Sequence, residues 1–297
     1  LDCWEHEESG LVVHRPGEWT WGDWGPNRDL DLLYQGYFAW SLRSVAELCR
    51  YARKTDDETL LRERYGRLAS VYDETFWNAD DAGYRGRGHD GPIDDRGQAL
   101  AVAAGLAPEH RWGAIARQLD SQRYASPYME YTVDRALRTM GEHQLALRRM
   151  RERFDEMVES PYTTLWEGWD INSREYGGGT VNHAWSGGPL VSLSAGVAGI
   201  EPAEPGYERV RVRPRPADLE YVNAHLESVR GPIVFEMNTA RQTMTLSSPV
   251  PVELWIPAGW IDAGVTLNGR TVPVAAQERG EVRVDLEAGV WRVQPRG

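Results

Sequence analysis

The apolar residues of this chain change their spacing once, near Pro205, and that change restricts it to a helical portion followed by a β portion. Before that point they recur every three or four residues. Leu30, Leu33, Tyr34, Tyr37, Phe38, Val45, Leu48, Cys49 and Ala52 form one apolar stripe and predict a long helix. Thr55-Asp56-Asp57-Glu58 has the form of a capping box, in which the Thr and the Glu three places on satisfy backbone amides reciprocally. It predicts a second helix through Leu61, Tyr65, Leu68, Tyr72 and Phe76. The joint between the two is so short that they must run antiparallel. The pairing recurs near 96–105 and from Pro108 to about 119, turning at Gly105, and again near 127–140 and 142–159, pivoting on Gly141. A stretch at about 184–198, closed by Gly199, brings the predicted helices to seven. Beyond Pro205 the period is two, as in Val210 and Val212, Ile233 to Met237, Val252 to Ile256 and Val282 to Leu286. Turns are marked by Gly231-Pro232, Asn268-Gly269 and Arg279-Gly280. About eight short strands predict an antiparallel β-sandwich and place the domains at 1–203 and 204–297.

Between the predicted helix pairs the links are long and rich in acids and aromatics: residues 14–29, 77–95, 120–127 and 160–183. In a stack of antiparallel helices alternate links lie at the same end. These four should therefore converge on one face, the natural place for a binding site. The 13 Trp and 13 Tyr beside only 4 Phe supply flat apolar faces with a polar handle, which suits carbohydrate as well as a core. A net charge of -12 and a pI near 5.1 argue against binding a phosphate backbone. No apolar run approaches the roughly 20 residues that span a bilayer, and the first residues lack an export signal. Neither nucleic acid nor membrane is expected as a partner. The chain opens without Met and reads as entered in mid-domain, so a cytoplasmic, periplasmic or secreted parent is equally compatible. Cys3 and Cys49 have no metal or redox spacing, and there is no Gly-rich phosphate loop or nucleophile elbow; no metal or cofactor is expected.

The residues with chemistry to offer lie in the long links. "SPYTTLWEGWD", residues 160–170, sets Glu167 between Trp166 and Trp169, where desolvation could tune a carboxylate for acid or base work and the rings could carry a sugar. The same pattern would equally suit a Glu bonded to backbone amides or to Arg at a loop corner. "EWTWGDWGPNRD", residues 18–29, offers Trp19, Trp21 and Trp24 as pocket walls and Asp23 as an acceptor for hydroxyls, with Asp29 as a helix cap. Simple packing between helix ends would account for those rings as well. Asp94 and Asp95 stand at a helix start, where carboxylates favour the macrodipole, and Asp95 is also a candidate sugar ligand. Tyr128 and Glu130 are further candidates on the same face, and His183 could contact a sugar, orient Glu167 or sit satisfied in the core.

At these residues the chain resembles the α-L-rhamnosidases of glycoside hydrolase family 78. The matching stretches are "WGDWG", "DDRGQALAVAAGLA", "SPYME", "TTLWEGWD", "NHAWSGGPL" and "VAGIEPAEPGYERVRVRPRP", in that order over most of residues 18–216. The resemblance implies an (α/α)6 six-hairpin toroid followed by a β-sandwich and inverting hydrolysis of terminal α-L-rhamnosyl residues. Glu167 would be the general base, His183 a sugar contact, and Asp23 with the nearby tryptophans the rhamnose subsite. The family's general acid lies on a motif upstream of everything present here, and seven helices are about five short of the twelve in such a toroid. A missing N-terminal part of the same enzyme is therefore an expected partner, beside the carbohydrate substrate, and the chain alone is expected to be inactive. Gly168 stands where the family often has Arg, which widens the expected sugar to a related deoxy-sugar or a pentose. Two other readings fit the residues. One is a toroid polysaccharide lyase or unsaturated glucuronyl hydrolase, with Arg174, Tyr176, Asn182 and His183 around a uronate; the other is a non-catalytic glycan-binding protein.

Overall fold

A computed structural model of the chain describes residues 8–13, 21–171, 179–278 and 280–296; Trp19, Arg174 and Tyr176 fall outside them. The apolar stripe from Leu30 becomes α1 (Leu30–Tyr51), and three residues later the chain returns as α2 (Thr55–Phe76), antiparallel to it. A short hairpin, β1 (Trp77–Asn78) with β2 (Gly83–Tyr84), opens the next link. Then come α3 (Asp95–Ala103), α4 (Trp112–Ser121), α5 (Glu130–Met140) and α6 (His143–Glu159). α1 packs on α2 and α3, α3 on α4 and α5, and α5 on α6. α1, α3 and α5 thus form an inner row backed by α2, α4 and α6, in successive helical hairpins. Burial follows the rows: all nine residues of α3 are buried, whereas α2 buries only Leu61, Leu68, Tyr72 and Phe76. Glycines let the inner row close up. A Cβ on Gly36 of α1 would stand 2.6 Å from Leu100 Cβ of α3, and one on Gly97 2.9 Å from Leu32 Cδ1.

Three local expectations need correction. α2 has Lys54, not Thr55, at its N-cap, and no side chain caps it. The tight link is the reason: the chain leaves α1 through Arg53 at a φ of 57° while Lys54 N–H donates back to the Cys49 carbonyl, so Thr55 is already helical. Pro108 precedes a single 3-10 turn, Glu109–Arg111, rather than entering the first turn of α4. The stretch 184–197 is not one α-helix but a 3-10 turn (Ala184–Gly187), one α turn, α7 (Gly188–Val191), and a π-helical segment (Ser192–Val197). Two glycines and Pro189, which lacks an amide donor, interrupt the regular ladder there.

By Cα packing the chain separates into two compact units, Leu1–Gly188 and Pro189–Gly297. The second holds two five-stranded sheets. One is ordered β10 (Ala276–Glu278), β11 (Glu281–Leu286), β8 (Val252–Pro257), β4 (Val210–Val212), β3 (Ile200–Pro202); the other is β5 (Tyr221–Ser228), β6 (Gly231–Asn238), β7 (Thr243–Ser248), β12 (Gly289–Pro295), β9 (Val265–Leu267). One helical turn, α8 (Ala258–Asp262), joins β8 to β9. Alternation places Ile233, Phe235 and Met237 of β6, and Val282, Val284 and Leu286 of β11, inside, as in a sandwich with one face of each sheet buried. The pairs are antiparallel except β4 with β8, which run parallel because β5 to β7 of the other sheet intervene. Among the described residues no helix is long and apolar enough to cross a membrane.

Candidate active site

Each inner helix is entered through one of the long links, and because neighbouring helices alternate in direction, α1, α3 and α5 present their N-termini at the same end. Side chains sew these links together. Asp94 caps α3 through the Arg96 amide, and its other oxygen takes the Asp29 amide at the start of α1 at 2.9 Å. Asp29 in turn accepts from the Leu32 amide and, at 2.7 Å, from Gly86. Asp23 accepts from the Ser126 amide (3.0 Å) and hydroxyl (2.5 Å), and Asp95 accepts from the amides of Tyr124 and Ala125 (both 3.1 Å). Two acids from different links therefore hold three consecutive amides ahead of α5.

Buried arginines complete this frame. Arg96 pairs with Asp94 (2.7 Å) and Asp23 (3.5 Å) and donates to the carbonyls of Trp24, Pro26 and Asn27. Arg149, from the middle of α6, pairs with Asp95 (2.5 Å) and Glu130 (2.8 Å), and Arg153 reaches Glu130 at 3.0 Å. Four acids (Asp23, Asp94, Asp95, Glu130) thus meet three arginines, and the positive ends of α1, α3 and α5 help to offset the excess. Burial pushes Asp94 up to about 6, with Arg96 opposing and Asp95 reinforcing the rise, and it raises Asp23 against the pull of Ser126 and Arg96. For Arg149 burial works against the charge, but Glu130 and Asp95 outweigh it and hold the guanidinium protonated.

Against this frame lies a cluster of rings. Trp21 is 5.5 Å from Tyr128 and 6.2 Å from Trp185, centroid to centroid; Tyr128 is 5.4 Å from Trp185, and His183 is 4.6 Å from Trp185. All four are half-buried, so they pack together and still reach the surface. Glu167 sits beside them, 8% exposed. Its Oε2 accepts from the Thr180 hydroxyl at 2.7 Å and lies 3.9 Å from His183 Nδ1, and its carbonyl accepts from Trp185 Nε1 at 3.2 Å. A buried carboxylate beside a partly open aromatic wall can take a proton from water and bind a sugar ring alongside.

The structure brings Trp21, Tyr128, Glu167 and His183 together. Asp23, Asp95 and Glu130 lie nearby, but their oxygens are turned inward onto amides and arginines, and they are 5% exposed or less. Trp24 is half-buried, its carbonyl held by Arg96. Trp166 is 2% exposed and packs with Phe154 and Met157 in a small core. Trp169 donates to the Ala125 carbonyl at 2.8 Å, with the Arg153 guanidinium 3.9 Å over its ring and Phe154 at its edge. Sequence reasoning passed over Trp185 and Thr180, although both lie in the quoted run 180–190. It also passed over Ser126, Arg96 and Arg149; an Arg within "RRMRERF" reads as solvated helix surface. Among the described residues no cluster of His, Cys, Asp and Glu could hold a metal ion.

With this geometry in view, the chain can be compared with known proteins. Residues 2–196 match the bacterial alpha-L-rhamnosidase 6 hairpin glycosidase domain, and residues 199–259 match the bacterial alpha-L-rhamnosidase C-terminal domain. An alpha-L-rhamnosidase of Streptomyces avermitilis is 24% identical over 275 residues, a match that covers 86% of this chain and 26% of that protein. The chain therefore spans about a quarter of this curated relative's length. Its fold is similar to the crystal structure of the Streptomyces avermitilis alpha-L-rhamnosidase complexed with L-rhamnose (TM-score 0.76, 20% identity, 97% of this chain and 29% of that one). It is also similar to the alpha-L-rhamnosidase from Dictyoglumus thermophilum (TM-score 0.80, 18% identity, 93% and 34%). At these identities the structural likeness is one of fold, a helical toroid followed by a β domain. The family match spans most of the chain and contains the whole ring cluster and Glu167: the chain belongs to the bacterial α-L-rhamnosidase six-hairpin glycosidase family.

Proposed function

We propose that this chain supplies the general base and one wall of the sugar site of an inverting α-L-rhamnosidase, which removes terminal α-L-rhamnosyl or related deoxy-sugar residues. The observation that carries the reading is the Glu167 carboxylate, buried beside the rings of Trp21, Tyr128, His183 and Trp185. The relative from Streptomyces avermitilis, with L-rhamnose bound, gives the class of ligand. In an inverting reaction Glu167 takes a proton from water as the water attacks the anomeric carbon. A carboxylic acid on the opposite side of the ring, roughly 6.5–9.5 Å away, protonates the leaving oxygen. We assign that acid to an upstream part of the same enzyme, which also supplies the remaining helical hairpins. In this reading Asp23, Asp95 and Glu130 serve the site by holding the links that carry Trp21, Tyr128 and Trp169, and Trp19 and Trp24 are further candidate sugar contacts. We take the catalytic portion to run to about residue 203 and residues 204–297 to form a packing domain.

The test is release of p-nitrophenol from its α-L-rhamnoside by the chain and by a version extended upstream, each with and without Glu167→Gln. Only the extended wild type should turn over, and the substitution should lower its kcat about 10²- to 10⁴-fold, the usual worth of a positioned general base. Turnover by the unextended chain would refute the need for an upstream acid. No turnover by either would remove rhamnoside as the substrate.

A further inference from the structure

Glu167 lies in a segment, residues 164–167, that is zipped to residues 180–186 by bonds independent of its carboxylate. The Thr164 hydroxyl donates to the Val181 carbonyl, the His183 amide to Leu165 (2.9 Å), the Ser186 hydroxyl to Trp166, and the Glu167 amide to the Thr180 carbonyl (2.9 Å). The backbone of Glu167 is thus fixed without help from its side chain. The terminal torsion of a Glu is broad, so a carboxylate fixed only at its backbone would turn its plane freely relative to a substrate water. The Thr180 hydroxyl, 2.7 Å from Oε2, acts on that torsion. Among the described residues no other side chain hydrogen-bonds the carboxylate, and His183 Nδ1 at 3.9 Å is too far to do so. The hydroxyl is itself well placed, since the same residue's carbonyl holds the Glu167 amide and its β-branch restricts χ1.

We infer that Thr180 is a positioning residue for the hydrolysis: by donating to Oε2 it turns Oε1 toward the attacking water. This inference rests on the reading of Glu167 as the general base. In the step it serves, a water O–H bond breaks and its proton passes to Oε1. The water oxygen bonds to the anomeric carbon, and the glycosidic oxygen leaves with a proton from the carboxylic acid on the opposite side. Thr180 neither gains nor loses a proton. It shortens the search of the base for a geometry in hydrogen-bond reach of the water.

Thr180 is exposed, so removing its hydroxyl opens no core cavity. In the upstream-extended enzyme acting on the p-nitrophenyl α-L-rhamnoside, Thr180→Val and Thr180→Ala should each lower kcat about tenfold and leave KM within about twofold, the pattern of an interaction made in the transition state. Thr180→Ser, which keeps the hydroxyl, should return kcat to near the wild-type value. With Glu167→Gln already present, Thr180→Val should change the residual rate less than twofold, because both act through one group. Wild-type kcat in both hydroxyl-free variants, failure of Ser to rescue, or a full tenfold loss on top of Glu167→Gln would each overturn the positioning role. If Glu167→Gln alone keeps wild-type kcat, the base assignment falls and this inference with it. Loss in Glu167→Gln with no loss in the Thr180 variants would defeat the inference alone.

Discussion

Asp94 shows how a single side chain couples the site's frame to pH. It accepts from the amides of Asp29 and Arg96, pairs with Arg96 at 2.7 Å and is 1% exposed, and burial raises it from an ordinary 3.8 to about 6. Between those values the folded chain binds a proton that the unfolded chain has released. The stability this contributes is fully present below about pH 4 and is lost as the pH rises through 6. Asn at this position keeps the cap but cannot titrate. The unfolding free energy of wild type minus that of Asp94→Asn, from urea titrations, should therefore fall by roughly 1 kcal/mol between pH 5 and pH 7. A difference that stays constant, or grows with pH, would show that another group governs the frame's titration. Legibility at this scale was uneven for a physical reason. Asp29 could be read as a cap because a cap and its helix are adjacent in sequence. Arg149 could not, since its partners Asp95 and Glu130 lie 54 and 19 residues away and only the fold brings them to it.

Among the elements, the inner row decides how closely the helix N-termini can gather around the site. α1 and α3 meet at Gly36 and Gly97, where a methyl group on Gly36 would stand 2.6 Å from Leu100 Cβ. Any side chain there must push the helices apart or force Leu100 from its place. Gly36→Val gains little helix propensity from its β-branched side chain, so overpacking should dominate and destabilise the protein by about 2 kcal/mol, read from the urea midpoint. Leu100→Ala in the same chain should not recover that loss, because alanine keeps the Cβ that stands closest to the new side chain. An unchanged midpoint in the single variant would mean that the row can open freely. The helices themselves were legible because their stripes are long and regular. Their ends were less so: the Thr55 capping box fails because the three-residue link is already committed to closing α1, and the mixed turn types of 184–197 depend on where Gly187, Gly188 and Pro189 interrupt the ladder.

The whole molecule divides between a unit built on local helical pairs and one built on longer-range strand pairing. The change of period near Pro205 marks the passage from helical to strand spacing, yet leaves no trace of the parallel pairing of β4 with β8, since three-residue strands are too short to show alternation and register between distant strands leaves no local mark. That pairing defines where the second unit can be cut. β4 lies between β8 and β3, and its Val210 and Val212 are fully buried, as is Val252 opposite Val210. A protein of residues 189–297 carries every strand of both sheets and should unfold in one cooperative transition with a β-type circular dichroism spectrum. One starting at residue 215 lacks β3 and β4, leaves β8 as an open edge, and forfeits about 3–6 kcal/mol from the two valines alone. Against the marginal stability of a domain this size, that loss should abolish the transition or make the protein aggregate. If 215–297 unfolds as cooperatively as 189–297, the parallel crossover is dispensable, and the sheet of β5, β6, β7, β12 and β9 must carry the stability of the unit.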